Sequence, residues 1–198
     1  MTRLEPRIAS ESRRTNETDV SVTVNLDGNG RASFNTGVGF LDHMLTAVAR
    51  HSNIDIELSC TGDTHIDCHH SAEDCAMVLG RAINNALGDR MGIARFGDAT
   101  VPMDEALARA AIDLSGRPWP AIELSLRREM LGSMACENLT HTLNTLAIEL
   151  RASVHVDVLK GQNDHHKAEA AFKAFALALK RAVERTPSRS VPSTKGVL

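Results

Sequence analysis

No tyrosine occurs anywhere in the 198 residues, and five phenylalanines and one tryptophan make up the whole aromatic content. Single-stranded nucleic acid is held largely by stacking bases on aromatic rings, so that class of partner has little to stack on. Neither sign of charge is in excess: 22 Lys and Arg stand against 25 Asp and Glu, a formal net charge of −3. That balance argues against a nucleic-acid or membrane partner. Long apolar runs are missing as well. The opening "MTRLEPRIASESRR" has no apolar stretch to act as a signal peptide. The most apolar helical candidate, residues 168–183, is interrupted by Glu169, Lys173, Lys180 and Arg181, too much charge for a bilayer span. Cys60, Cys68, Cys75 and Cys136 form no Cys-x-x-Cys pair, which predicts buried thiols of a reducing compartment rather than disulfides or a thiolate zinc site. These absences predict a soluble cytoplasmic globular protein.

Periodicity then predicts the elements. In "DVSVTVNL" (19–26), Val20, Val22, Val24 and Leu26 alternate, as in a half-buried strand. "DGNG" (27–30) reads as a hairpin turn, with "RASFN" returning as the next strand. "GFLDHMLTAVARH" carries Leu41, Leu45 and Val48 at helical spacing, and "IDIELSC" alternates again. A helix with Ala76, Leu79, Ile83 and Leu87 inward follows, with Ser71 as its candidate cap. The second half repeats this order: "AAIDL" and "AIELSL" as strands joined through "SGRPWP", "ENLTHTLNTLAIEL" as helix, "SVHVDVL" as strand. A closing helix has Ala171, Phe175, Ala178 and Leu179 near one face, and a Pro/Ser-rich tail, 186–198, shows no helical period.

The repetition reaches single residues. "CHHSAED" (68–74) and "DHHKAEA" (164–170) both read His-His-x-x-Glu at a shift of 96, and His43 matches His141 at a shift of 98. This is an internal duplication. It predicts an α+β fold: two duplicated α/β halves, roughly 1–95 and 96–198, each a small, mainly antiparallel sheet with two helices, in one sandwich-like domain.

Residues i and i+4 share a helix face, so His69 with Glu73, and His165 with Glu169, can each grip one ion. The adjacent His70 and His166 point about 100° away and serve a different metal. With His43 and His141 the inventory is six histidines and two glutamates, or three imidazoles and one carboxylate for each of two metals. Such a set admits Mn, Fe, Zn, Co or Ni and disfavours thiolate-loving metals. His155, inside an alternating strand, reads as an ordinary surface histidine.

The chain strongly resembles the imidazoleglycerol-phosphate dehydratase family. The match runs through "RRTNETDVSVTVNLDG", "GFLDHML", "GDTHIDCHHSAEDCAMVLG", "RFG", "VPMDEALARAAIDLSGRP", "NDHHKAEAAFKAFALAL" and "PSTKGVL", nearly the whole chain in order. The resemblance implies two Mn²⁺ ions per active site and a homo-oligomeric shell of 24 subunits built from trimers, with active sites between subunits. It implies His43, His70, His165 and Glu169 around one metal, and His69, Glu73, His141 and His166 around the other. It implies a phosphorylated imidazole substrate, dehydrated to imidazole acetol phosphate with the metals as Lewis acids and template. Glu17 is then the proton shuttle and a substrate contact, and His51 a substrate-site residue. Arg95, Arg117, Ser193 and Lys195, the last two in the C-terminal tail, then bind the phosphate. Two departures stand out: Ala47 where the family commonly has Gln, and Thr142 and Leu143 where it usually has aromatics. The first removes a polar substrate contact and the second implies a repacked interior.

Two other readings compete. A dinuclear metallohydrolase would have no special affinity for imidazole ligands, and a metal-storage shell would not need Glu17, Arg117 or Lys195. A di-iron four-helix bundle conflicts with the many alternating strands.

Overall fold

The computed structural model describes residues 5–188, 190–196 and 198. Alternation decides where its central strands lie. In β2 (Thr18–Asn25), Val20, Val22 and Val24 are buried while the residues between them face solvent, as a strand with one wet face requires. β4 (Asp55–Gly62), β6 (Ala106–Asp113) and β10 (Ser153–Lys160) bury Ile56 and Leu58, Ala108 and Ala110, and Val154 and Val156 in the same way. With the edge strands β1 (Ile8–Arg14), β3 (Ala32–Asn35), β5 (Phe96–Met103) and β7 (Trp119–Glu123), they form two four-stranded sheets. The orders are β1-β2-β4-β3 and β5-β6-β10-β7. In each sheet two pairings are antiparallel and the last, β3 on β4 or β7 on β10, is parallel. One topology is used twice. The second half adds a short hairpin, β8 (Met130–Leu131) with β9 (Met134–Ala135).

Four helices fill the space between the sheets: α1 (Gly39–Ser52), α2 (His69–Leu87), α3 (Cys136–Glu149) and α4 (Asp164–Val183). α2 lies on β1, β2 and β4, and α4 on β5, β6 and β10. The halves are joined by crosswise helix pairs, α1 on α4 and α2 on α3. α4 is therefore covered on two sides, and its alanines 168, 170, 171, 174, 176 and 178 are all fully buried beside Phe172 and Phe175. Small side chains let its backbone approach the sheet. At Gly97 of β5, an added Cβ would sit 2.0 Å from the Ala178 carbonyl oxygen.

Several local expectations are corrected. "DGNG" does not close a β2–β3 hairpin: β4 takes the place beside β2 with an eight-residue register, and β3 lies beyond β4, parallel to it. Gly30 still adopts φ +81°, and Asp55 accepts from the Asn29 and Arg31 amides, so the turn is real but leads into a crossover. "SGRPWP" does join the two strands expected around it, β6 and β7, and β10 lies between them in the sheet. Ser71 caps nothing. α2 starts at His69, whose amide donates to Asp67 Oδ1 at 2.7 Å, while Ser71 is fully buried inside the helix and its hydroxyl has no partner among the described residues. No acidic residue stands in the first turn of α2. β1 and β5 were not anticipated: one is rich in small polar residues, and the other contains Gly97 and Pro102, tolerated because β5 is an edge.

Candidate metal centre

Both paired-histidine motifs open a helix. The Asp67 carboxylate and the Asn163 side chain accept the first-turn amides of His69 and His165, fixing where each helix starts. Each His/Glu pair then faces the helix contributed by the other half. On α2, His69 and Glu73 converge with His141 of α3; on α4, His165 and Glu169 converge with His43 of α1. Within each trio the candidate ligand atoms lie within 4.8 Å of one another. His141 Nε2 is 3.1 Å and His69 Nε2 4.0 Å from the Glu73 carboxylate. His165 and His43 Nε2 are 3.2 and 3.5 Å from Glu169 Oε2. Two adjacent ligands each about 2.1 Å from one ion lie about 3.0–3.4 Å apart, a spacing that His141, His165 and nearly His43 hold to their glutamate while His69 stands wider, so both trios are candidate divalent-cation sites.

The adjacent histidines go elsewhere within the chain. His70 Nδ1 pairs with Asp63 Oδ2 at 3.0 Å, and its Nε2 lies 3.8 Å from Glu17. His166 Nδ1 pairs with Glu105 Oε2 at 2.7 Å, and its Nε2 lies 3.7 Å from Asp104. A carboxylate on Nδ1 fixes the tautomer and leaves Nε2 to ligate. One chain thus brings together three of each expected four ligands, and presents His70 and His166 away from both trios. Glu17 stands in the β1–β2 turn, which α2 holds in place: buried Asp74 accepts from Arg13 and from the Thr18 hydroxyl.

The electrostatics of the chain follow from these contacts. The Asp63 hydrogen bond raises the His70 pKa, with the charges of Glu17 and Asp67 adding to it; Glu105 does the same for His166. The His166 hydrogen bond and the Asn163 and Gln162 amides bring Glu105 down to about 2. Burial alone would raise Glu169, but the hydrogen bond and charge of Lys173, with Nζ 2.7 Å from Oε1, carry it below the ordinary carboxylate value. His51, two turns beyond His43 on α1, is lowered by burial and by Lys173.

The expected phosphate residues lie far from these ligands. Arg95 forks onto Asp113 at 2.6 and 3.1 Å and donates to the Pro192 carbonyl at 2.8 Å, tying the tail to the second sheet. Gly116 abuts the backbone of Leu198, which brings the Arg117 loop to the end of that tail. Ser193 Oγ accepts the Lys195 amide at 3.2 Å, and the Lys195 side chain is exposed. Arg95 precedes β5 whereas Glu105, the partner of His166, follows it; eight residues of strand span about 26 Å. The trios themselves are open, with the His43 and His165 side chains 47% and 43% exposed. Of the departures, Ala47 is buried, and Thr142 is buried with its hydroxyl on the Asn138 carbonyl at 2.6 Å, beside fully buried Leu143.

Sequence reasoning passed over the supporting shell: Asp63, Asp104, Glu105, Asn138 and Lys173. Three of these had a signal: Lys173 at i+4 from Glu169, and Asp104 and Glu105 inside "VPMDEALARA". Residues 36–179 match a family model described as imidazoleglycerol-phosphate dehydratase. The imidazoleglycerol-phosphate dehydratase of Chlorobium luteolum is 53% identical over 193 residues, 98% of this chain and 96% of that protein. A longer one from Phytophthora nicotianae is 55% identical over 192 residues, 97% of this chain but 42% of that protein. The crystal structure of the Staphylococcus aureus imidazoleglycerol-phosphate dehydratase is similar with a TM-score of 0.82 at 35% identity, covering 90% of this chain and 99% of that one.

Proposed function

The chain belongs to the imidazoleglycerol-phosphate dehydratase family, which dehydrates imidazoleglycerol phosphate in histidine biosynthesis, and we propose that it does so at a dinuclear manganese site, yielding imidazole acetol phosphate. The observation that carries this reading is the pair of His/His/Glu trios, each drawn from both halves of the chain. Mixed imidazole and carboxylate donors suit Mn²⁺, though they do not select it over other divalent transition metals. Bound at the substrate's imidazole ring, such ions supply Lewis-acid stabilisation of ring charge and hold the ring in place.

The chain's own residues supply the rest. His70 and His166, locked by Asp63 and Glu105 with Nε2 outward, complete the trios of neighbouring chains in a homo-oligomer, a 24-subunit shell of trimers. Glu17, carried beside His70, moves the proton. His51, within reach of the charges of Lys173 and Glu169, lines the substrate site. Arg117, whose guanidinium meets only the Ser115 carbonyl among the described residues, and exposed Lys195 bind the phosphate with Arg95 and Ser193. A molecule of about ten ångströms cannot bridge the 26 Å of β5, so phosphate and metal groups acting on one substrate come from different chains.

The test is to mix purified, metal-depleted protein with imidazole glycerol phosphate, with and without Mn²⁺, and follow the ketone product. Product that forms only with Mn²⁺ supports the reading. Equal turnover without any divalent metal refutes the metal site, and no turnover in either case refutes the activity.

A further inference from the structure

The duplication places nearly identical ligands in unequal surroundings. At the α2 trio both Glu73 oxygens face histidines: Oε1 lies 3.1 Å from His141 and Oε2 4.0 Å from His69. At the α4 trio only Glu169 Oε2 does so, because Oε1 is held by Lys173 Nζ at 2.7 Å. The position matching Lys173 in the first half, four residues beyond Glu73, is the uncharged Met77. The histidines differ too. His69 Nδ1 hydrogen-bonds Asn138 Oδ1 at 3.0 Å, and that buried amide is itself oriented by its Nδ2 donating to Cys68 Sγ at 3.2 Å. The residue matching Asn138 is Phe40, which offers His165 only a ring edge at 5.2 Å.

From these differences we propose that the two metal sites bind with unequal affinity. The His69–Glu73–His141 site is the tight one and the His43–His165–Glu169 site the weak one, with Asn138 and Lys173 as the positioning residues that separate them. The inference rests on the dinuclear reading above. An ammonium about 5 Å from a divalent ion costs about tenfold in affinity even with water-like screening, and it also competes for one carboxylate oxygen. A hydrogen bond that orients a ligating imidazole contributes about ten- to a hundredfold. Both effects favour the same site. The histidines from neighbouring chains do not cancel them: His70 comes with Asp63 and Glu17, and His166 with Glu105 and Asp104, two carboxylates apiece.

The experiment equilibrates the manganese-loaded assembly against graded concentrations of a chelator of known affinity and measures Mn per chain. Two steps of one Mn each, at least tenfold apart in free Mn²⁺, are expected. Lys173→Met should shift only the weaker step, by about tenfold toward tighter binding. Asn138→Leu should weaken only the tighter step, by about ten- to a hundredfold. Because Asn138 is buried and its variant can fail to fold, Lys173→Met alone is sufficient to decide. A single step of two Mn in the wild type, or a Lys173→Met variant whose weaker step does not tighten, overturns the inequality. Fewer than two Mn per chain under saturating metal overturns the dinuclear reading, and the inequality with it.

Discussion

Gly80→Ala sets two effects of opposite sign against each other at the α2–α3 contact. Alanine in a helix interior is favoured over glycine by about 0.5–1 kcal/mol, so an unpacked surface would be stabilised. Here the new Cβ would lie 2.7 Å from Glu149 Cβ, 2.9 Å from the Leu146 carbonyl oxygen and 3.1 Å from the Leu150 amide. Two of the three are backbone atoms of the facing segment, so the crowding is not relieved by turning a side chain. The helices must part by about half an ångström, and overpacking of this kind costs about 1–3 kcal/mol. Crowding is the larger effect, with a net loss of up to about 2.5 kcal/mol and a melting point lower by a few degrees at this chain length. The site should respond selectively. Glu73 and His141 face each other across this same helix pair, at 3.1 Å, and metal–ligand distances tolerate only about ±0.2 Å. The α4 trio depends on a different helix pair, where Ala176 holds the place matching Gly80, fully buried. Calorimetry together with Mn binding per chain should therefore show a destabilised protein that loses affinity at one site and keeps the other. A raised melting point, or two unaltered sites, would refute the argument.

Glu17→Gln should retain both metals and substrate binding while turnover falls about a hundred- to ten-thousandfold in single-turnover assays, the usual range for a general acid–base group; wild-type rates would assign the proton elsewhere. Arg117→Ala and Lys195→Ala should leave metal content intact and each weaken substrate binding about ten- to a hundredfold. A phosphate-free analogue should be nearly indifferent to either change, and equal losses with and without phosphate would point to a structural role. pH should act in opposite directions on metal binding and on the metal-free chain. His70 and His166 have raised pKa values, so their ion pairs stabilise the metal-free chain fully below the unfolded-state value of about 6.5. That contribution is lost as pH climbs through the raised folded value, and at the acid end the Glu105 contribution, present above its ordinary value of about 4.5, declines as pH falls and is gone near about 2. Ligation requires the same imidazoles neutral, so Mn²⁺ affinity at each site should fall at least tenfold per pH unit below the raised value. Parallel slopes in melting scans and Mn titrations would contradict this.

Periodicity made the buried faces legible: the valines of β2, Leu41 and Leu45 of α1, and Phe175 of α4 are all buried. Fold class was legible too, and the duplicated His-His-x-x-Glu pointed to the two candidate His/His/Glu clusters that the fold brings together. Strand order was not. The "DGNG" stretch carries a local turn preference, whereas the choice of β4 over β3 as the neighbour of β2 is settled by eight paired residues contributed from elsewhere in the chain. The pairing of Glu105 with His166 was hidden for the same reason, since the two lie 61 residues apart and meet only because β5 and α4 pack together, whereas Asp63 stands just seven residues before His70.

What adjacency implies reaches furthest. Two consecutive residues on a helix diverge by about 100°, so a chain that commits His69 to its own trio must present His70 outward, and likewise His165 and His166. The structure shows this divergence: the inner histidines meet Glu73 and Glu169, and the outer ones meet Asp63 and Glu105. Each chain is then short of one histidine at both trios and carries one to spare at both outer positions. A pair of chains or a ring can balance that account, and a lone chain cannot. In the proposed assembly, duplication therefore gives each chain two pseudo-equivalent places to donate and two to receive, which favours a closed shell over an open filament with unsatisfied ends. Metal binding and assembly are then one linked equilibrium, in which removing the ions loosens the subunit contacts that the shared histidines bridge.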